Sequence, residues 1–198
     1  MTGPAPRQRP LSVEEYLAFE EASPVRHEYV AGEIHAMTGA TPRHNQIALN
    51  IAFHLRAAAR GGPCRAYIEA VKLRVGDAIY YPDVMVDCTP AEPALIIESP
   101  CLVVEVTSPS TALTDRREKL VAYRGVPTLQ AYLLVEQDRR RVTRHWRDAQ
   151  GAWGYSVITG EEIVPVPCPR TELTLDLIYE DVTMPPLGVA ERFEDAVT

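Results

Sequence analysis

The chain has 198 residues, 46% of them hydrophobic and 24% charged, the balance of an ordinary globular protein with enough chain for one domain and its own core. Its net charge of −7 argues against a broad basic surface for nucleic acid, though not against a local patch, and suits a site that gathers carboxylates around a divalent cation. No apolar run approaches the ~20 residues that span a bilayer, and the N-terminus lacks the apolar core of a signal peptide, so a cytoplasmic protein with no membrane association is expected.

Residues 1–10, rich in Pro and Arg, read as a flexible arm. Ser12 with Glu15 three positions on makes a capping box and predicts a short helix over about 13–22, stopped at Ser23-Pro24. Glu28 to Ile34 reads as a tight hairpin turning at Ala31-Gly32. Thr41-Pro42 opens a second helix, apolar over much of its circumference and ended by Gly61-Gly62-Pro63. Ala66–Val75 and Ala78–Cys88 read as two strands about a Gly76-Asp77 turn. Cys101 to Thr107 is nearly all apolar, the pattern of a strand buried on both faces. Residues 111–124 have helical spacing and stop at Gly125-Val126-Pro127. Three further strands follow over about 129–135, 141–146 and 153–159, then a loop over 160–172, a short closing element over 173–179 and an acidic tail. The order implies an α/β (α+β) fold, a mixed central sheet flanked by helices. Cys64, Cys88, Cys101 and Cys168 are scattered, with no C-x-x-C pair, which argues against a structural zinc site and against a disulfide scaffold.

Glu105 is the costly residue. A lone carboxylate inside an apolar strand costs several kcal/mol unless it is paired or bound to a cation. Asp83, after Pro82, falls at a strand start or bulge. If the two strands are neighbours, both carboxylates converge on one cation such as Mg²⁺, which commonly takes one or two carboxylates together with waters and phosphate. Alternation puts Thr107 on the face of Glu105. Asp115 and Lys119 are spaced i,i+4, either a surface helix pair or a route for Lys119 to the same place.

Pro82-Asp83, then Glu105 to Thr111, then Asp115 to Lys119, then Tyr123 to Pro127, resemble in order and spacing the Uma-two restriction-endonuclease family, a branch of the PD-(D/E)XK nuclease superfamily. His27 to Glu33, Pro42-Arg43-His44 and Leu173 to Leu177 extend the resemblance over about residues 11–180. It implies a restriction-endonuclease-like core over 11–180, between the arm at 1–10 and the tail at 181–198. It also implies a Mg²⁺ or Mn²⁺ cofactor, with Asp83 and Glu105 as metal carboxylates. Lys119 would replace the lysine that the superfamily pattern has at Thr107. Glu28 would complete the site, with Glu33 its competitor. DNA is the implied partner, and a homodimer is expected because cutting two strands takes two sites. Thr107 leaves open a catalytically degenerate nuclease-fold module that binds nucleic acid or assembles with protein; a hydrolase of small phosphoesters is the third reading.

His44 is either a capping or surface residue or a phosphate contact and proton donor. Arg43, Arg116, Arg117 and Arg124 make either a solvated face or a phosphate patch, and Arg139-Arg140-Arg141 a basic hairpin tip. Ser108-Pro109-Ser110-Thr111 reads as a loop and helix cap, since no Gly-x-Ser-x-Gly turn supports a serine nucleophile.

Overall fold

A computed structural model describes residues 9–37, 39–89, 95–107 and 114–186, the side chains of residues 114–117 excepted. In chain order the elements are α1 (Val13–Ala22), β1 (His27–Val30), β2 (Glu33–Ala36), α2 (Pro42–Ala58), β3 (Arg65–Ile68), β4 (Lys72–Val75), β5 (Ala78–Tyr80), β6 (Val84–Asp87), β7 (Ile96–Ile97), β8 (Leu102–Thr107), α3 (Thr114–Arg124), β9 (Ala131–Glu136), β10 (Val142–Arg147), β11 (Trp153–Ile158), β12 (Ile163–Pro167), β13 (Arg170–Thr174) and α4 (Leu175–Ile178). Among the described residues the strands form a six-stranded sheet ordered β11-β10-β9-β8-β6-β3, a five-stranded sheet ordered β2-β1-β5-β4-β7, and the separate hairpin β12-β13. β8 and β9 run parallel, joined through α3; the other pairs of the six-stranded sheet are antiparallel. The mixed α+β architecture expected from the element order is therefore present.

The local signals act as the sequence implies. Ser12 Oγ accepts from Glu15 N while the Glu15 carboxylate accepts from Ser12 N, which starts α1. Thr41 caps α2 by accepting from His44 N. On α2, Ile47, Ile51 and Leu55 recur every four residues and are fully buried, while Leu49 and Phe53 face outward.

Strand alternation divides the core in two. Leu102, Val104 and Val106 of β8 pack with Ile47, Ile51 and Leu55 of α2 in one cluster. Val103 faces the other way, into a second cluster with Tyr123 of α3, Leu129 and Tyr132. Each such side chain contributes about 1.5–3 kcal/mol when fully buried. Glu105 shares the face of Val103, so α3 is the helix that covers it.

Several expectations are corrected. Ala66–Val75 is two strands, β3 and β4, in different sheets; the chain turns at Glu69, which has φ 39°. Ala78–Cys88 is likewise β5 and β6, interrupted around Pro82, which has no amide hydrogen to give a ladder. The expected loop over 160–172 contains most of the hairpin β12-β13; Pro165 and Pro167 are tolerated because β12 pairs on one side only. The scattered cysteines converge, Cys64 joined to Cys88 and Cys101 to Cys168, because strand pairing brings together what spacing keeps apart. Residues 1–8 of the arm, 187–198 of the tail and the segment Ser108 to Thr111 lie outside the described residues.

Candidate active site

The ladder between β6 and β8 pairs Val84 with Val104. Carried one step on, this antiparallel register sets Asp83 opposite Glu105, and opposed residues point to the same face. Asp83 lies just outside β6, so its carboxylate turns to local donors. Its Oδ2 accepts from Val106 N at 2.7 Å and meets His44 Nε2 at 3.0 Å.

Glu105 is 8% exposed. Its Oε1 accepts from the Tyr123 hydroxyl at 2.8 Å and from Lys119 Nζ at 3.4 Å. Lys119 and Tyr123 stand one turn apart on α3, which is why one helical face delivers both donors. Lys119 Nζ also donates to Glu28 Oε1 at 2.9 Å, and Tyr81 N donates to the same oxygen at 3.3 Å. The lysine amine thus joins β1 to β8, over the ring of Tyr80.

The electrostatics follow from burial and from the acid count. Desolvation pushes the Glu105 carboxyl up to about 8; Lys119 opposes the shift, and the charges of Asp83 and Glu28 add to it. Burial acts to lower the His44 imidazolium, but the Asp83 hydrogen bond and charge outweigh it, and the net shift is upward. Burial, then the Glu105 charge, hold the Tyr123 hydroxyl well above its ordinary range.

The donor set fits a hard divalent cation held by two carboxylates. Among the described residues no hydrogen bond engages Glu105 Oε2 or Asp83 Oδ1. No three Asp, Glu or His ligand atoms lie within 4.8 Å of one another among those residues, so a cation held by Asp83 and Glu105 would need water and substrate oxygen as its other ligands.

The structure thus brings together Glu28, Asp83, Glu105 and Lys119, and adds His44 and Tyr123. Glu33 is exposed on β2, away from Lys119, and Glu28 is the acidic residue at the site. Thr107 Oγ1 donates to Val135 O at 3.5 Å. His44 both begins α2 and reaches Asp83, which lies 39 positions away, beyond any spacing rule. Tyr123 had a signal in its i,i+4 spacing from Lys119, but its apolar neighbours favour a core reading. Arg43 pairs with Asp138 at 2.9 Å, Arg139 with Glu136 at 2.8 Å, and Arg140 with Asp176. The side chains of Asp115, Arg116 and Arg117 lie outside the described residues. Among the described residues no helix is long and apolar enough to cross a membrane.

A protein of Synechocystis described as "Uncharacterized protein slr1290" is 37% identical over 147 residues, 72% of this chain and 77% of its own. A second, "Uncharacterized protein sll1609", is 30% identical over 159 residues, 76% of this chain and 89% of its own. Among solved structures, one from Anabaena variabilis titled as "a putative nuclease belonging to DUF820" superposes with a TM-score of 0.73 at 20% identity, covering 88% of this chain and 100% of that one, and so shares its fold. The profile of the family Uma2, described as "Putative restriction endonuclease", matches residues 13–177. On that match the chain belongs to the Uma2 family.

Proposed function

We propose that the chain is a Mg²⁺- or Mn²⁺-dependent endonuclease that hydrolyses DNA phosphodiester bonds, with Asp83 and Glu105 as the metal carboxylates and Lys119 and Glu28 completing the site. The observation that carries this reading is an excess of acid. Glu28, Asp83 and Glu105 gather around one lysine and one histidine, with Glu105 buried. A structural ion pair needs one carboxylate per cation, and further buried negative charge is costly unless another cation offsets it.

Held by Asp83 and Glu105, a divalent ion would supply Lewis-acid polarisation of the phosphate and would lower the pKa of a bound water. The chain's own groups have separate tasks. Lys119 keeps a proton beside the carboxylates and offsets charge that builds on the phosphoryl oxygens in the transition state. Asp83 can only accept, so His44 presents a proton at Nε2 and fixes the rotation of that carboxylate; His44 is a positioning residue. Tyr123 holds Glu105 by the oxygen that Lys119 also touches. Cutting both strands takes two such sites, which a symmetric dimer supplies.

The test is cleavage of linear duplex, supercoiled and single-stranded DNA with Mg²⁺, Mn²⁺ or chelator. Asp83→Ala, Glu105→Ala and Lys119→Ala should each lower the rate by about 10²-fold or more. Wild-type rates in all three variants would overturn the assignment. Thr107, in the pattern's lysine position, favours a second reading, a nuclease-fold module without catalysis. No Mn²⁺ heat in calorimetry, with DNA still retained, would favour that reading over the first.

A further inference from the structure

Strand β6 has the candidate active site at one end and a different cluster at the other. Asp83 precedes its first residue and Cys88 follows its last. The β3–β6 ladder pairs Arg65 with Asp87, and one step further Cys64 faces Cys88. Cys101 leads into β8, fixed by the hydrogen bond that its N–H donates to Val86 O at 2.8 Å. Cys168 comes from the turn between β12 and β13. All four cysteines of the chain thus arrive from four separate segments.

Their sulfurs form one knot. Beyond the joined pairs, Cys88 Sγ lies 3.1 Å from Cys168 Sγ and 3.6 Å from Cys101 Sγ. The sulfurs of Cys64, Cys88 and Cys168 all lie within 4.8 Å of one another. Two disulfides alone give no reason for the pairs to meet. A tetrahedral ion with four Zn–S bonds of about 2.3 Å sets its sulfurs about 3.8 Å apart, close to the two separations from Cys88 to the other pair. Cys101 and Cys168 are 5% and 4% exposed, and the other two are half-buried, the enclosure of a structural metal site.

We propose that Cys64, Cys88, Cys101 and Cys168, as thiolates, bind a single Zn²⁺ that staples the β12-β13 hairpin to the end of the six-stranded sheet. The hairpin shares no ladder with either sheet among the described residues, so this junction is where a staple has something to hold. The paired sulfurs and the bound ion are linked by a balanced step. Each disulfide takes two electrons and two protons from one dithiol, which becomes a disulfide. The four thiols then give up four protons as the ion binds. Where dithiols keep cysteines reduced, the zinc form is favoured. About five residues of β6 and its flanks, roughly 17 Å, separate this site from the carboxylates, so the two metal sites are independent.

The test is elemental analysis of the full chain purified under a dithiol reductant. One zinc per chain that survives dialysis against chelator is expected. Asp83→Ala and Glu105→Ala should keep it, while Cys88→Ser and Cys168→Ser should lose it. Replacing zinc with cobalt in the wild-type chain should give the thiolate charge-transfer and visible bands of a tetrahedral S4 centre, a readout that needs no variant to fold. Reduced wild-type protein without zinc, zinc lost from the carboxylate variants instead, or iron in its place would overturn the proposal. Failure here leaves DNA cleavage untouched, and failure of cleavage leaves the zinc content untouched.

Discussion

At Glu105 the strand and the proposed metal site pull in opposite directions. The other residues of β8 are buried and none of them is ionisable, so the fold favours a neutral side chain there, whereas metal binding requires the carboxylate. Burial, with the charges of Asp83 and Glu28, holds the folded pKa above the ordinary carboxylate value against the pull of Lys119. A raised folded pKa means that the stabilising contribution is fully present below the unfolded value, ~4.3, and is lost as pH rises through the folded one. In chelator, the contribution of this group to stability should therefore decline as pH rises from ~4.3 through about 8. Glu105→Gln removes the titration, keeps an acceptor for Tyr123, and should flatten that decline in urea unfolding. The same protonation opposes metal, so Mn²⁺ affinity should rise across this window with release of a proton. A wild-type and Glu105→Gln stability difference that does not change with pH would sink the argument.

The elements that could be read from the sequence are those whose cause is local. The capping box set α1, and the positive φ of Ala31 and Gly32, 51° and 88°, matches the hairpin turn read from those two residues. Thr41-Pro42 set the start of α2. The unread elements depend on distant partners. A period-2 pattern cannot reveal that the chain changes sheets at Glu69 and again near Pro82, because each half alternates on its own. Pro165 and Pro167 argue against a strand unless its free edge is known. The site divides the same way. Glu105 stood out because burial makes it expensive, but His44 and the cysteine cluster depend on strand register and had no signal in spacing. Asn50 is a further non-local tie. It is buried on α2 and donates to Ile178 O at 3.1 Å and Glu180 O at 2.9 Å, fastening α2 to the end of α4. Asn50→Ala leaves both carbonyls short of a donor, and should cost about 1–3 kcal/mol in chemical unfolding. A loss within ~0.5 kcal/mol of zero would mean that water satisfies these carbonyls and the tie is dispensable.

For the whole molecule, the net charge of −7 frames how a polyanion would approach. Of the basic side chains that the sequence offered for phosphate, Arg43 is engaged by Asp138, Arg139 and Arg141 by Glu136, and Arg140 by Asp176. At the candidate site itself three carboxylates face one lysine and one histidine. Phosphate arriving within a Debye length of about 10 Å meets no net positive charge there until a divalent ion is bound. On the endonuclease reading, metal is then a condition for binding as well as for chemistry. With Ca²⁺ in place of Mg²⁺ to slow cleavage, duplex DNA should bind at least about tenfold more tightly than in chelator at matched ionic strength, a difference of ~1.4 kcal/mol. Glu105→Ala should erase that difference, because it removes the ligand and not the overall charge pattern. Affinity in fluorescence anisotropy should also fall only shallowly with salt, since Arg43, Arg139, Arg140 and Arg141 are already paired with acids. Equal affinity in Ca²⁺ and in chelator, with a steep salt dependence, would mean that DNA is held by a basic surface elsewhere on the chain. The carboxylate site would then be a structural ion-pair cluster and not the place where phosphate docks.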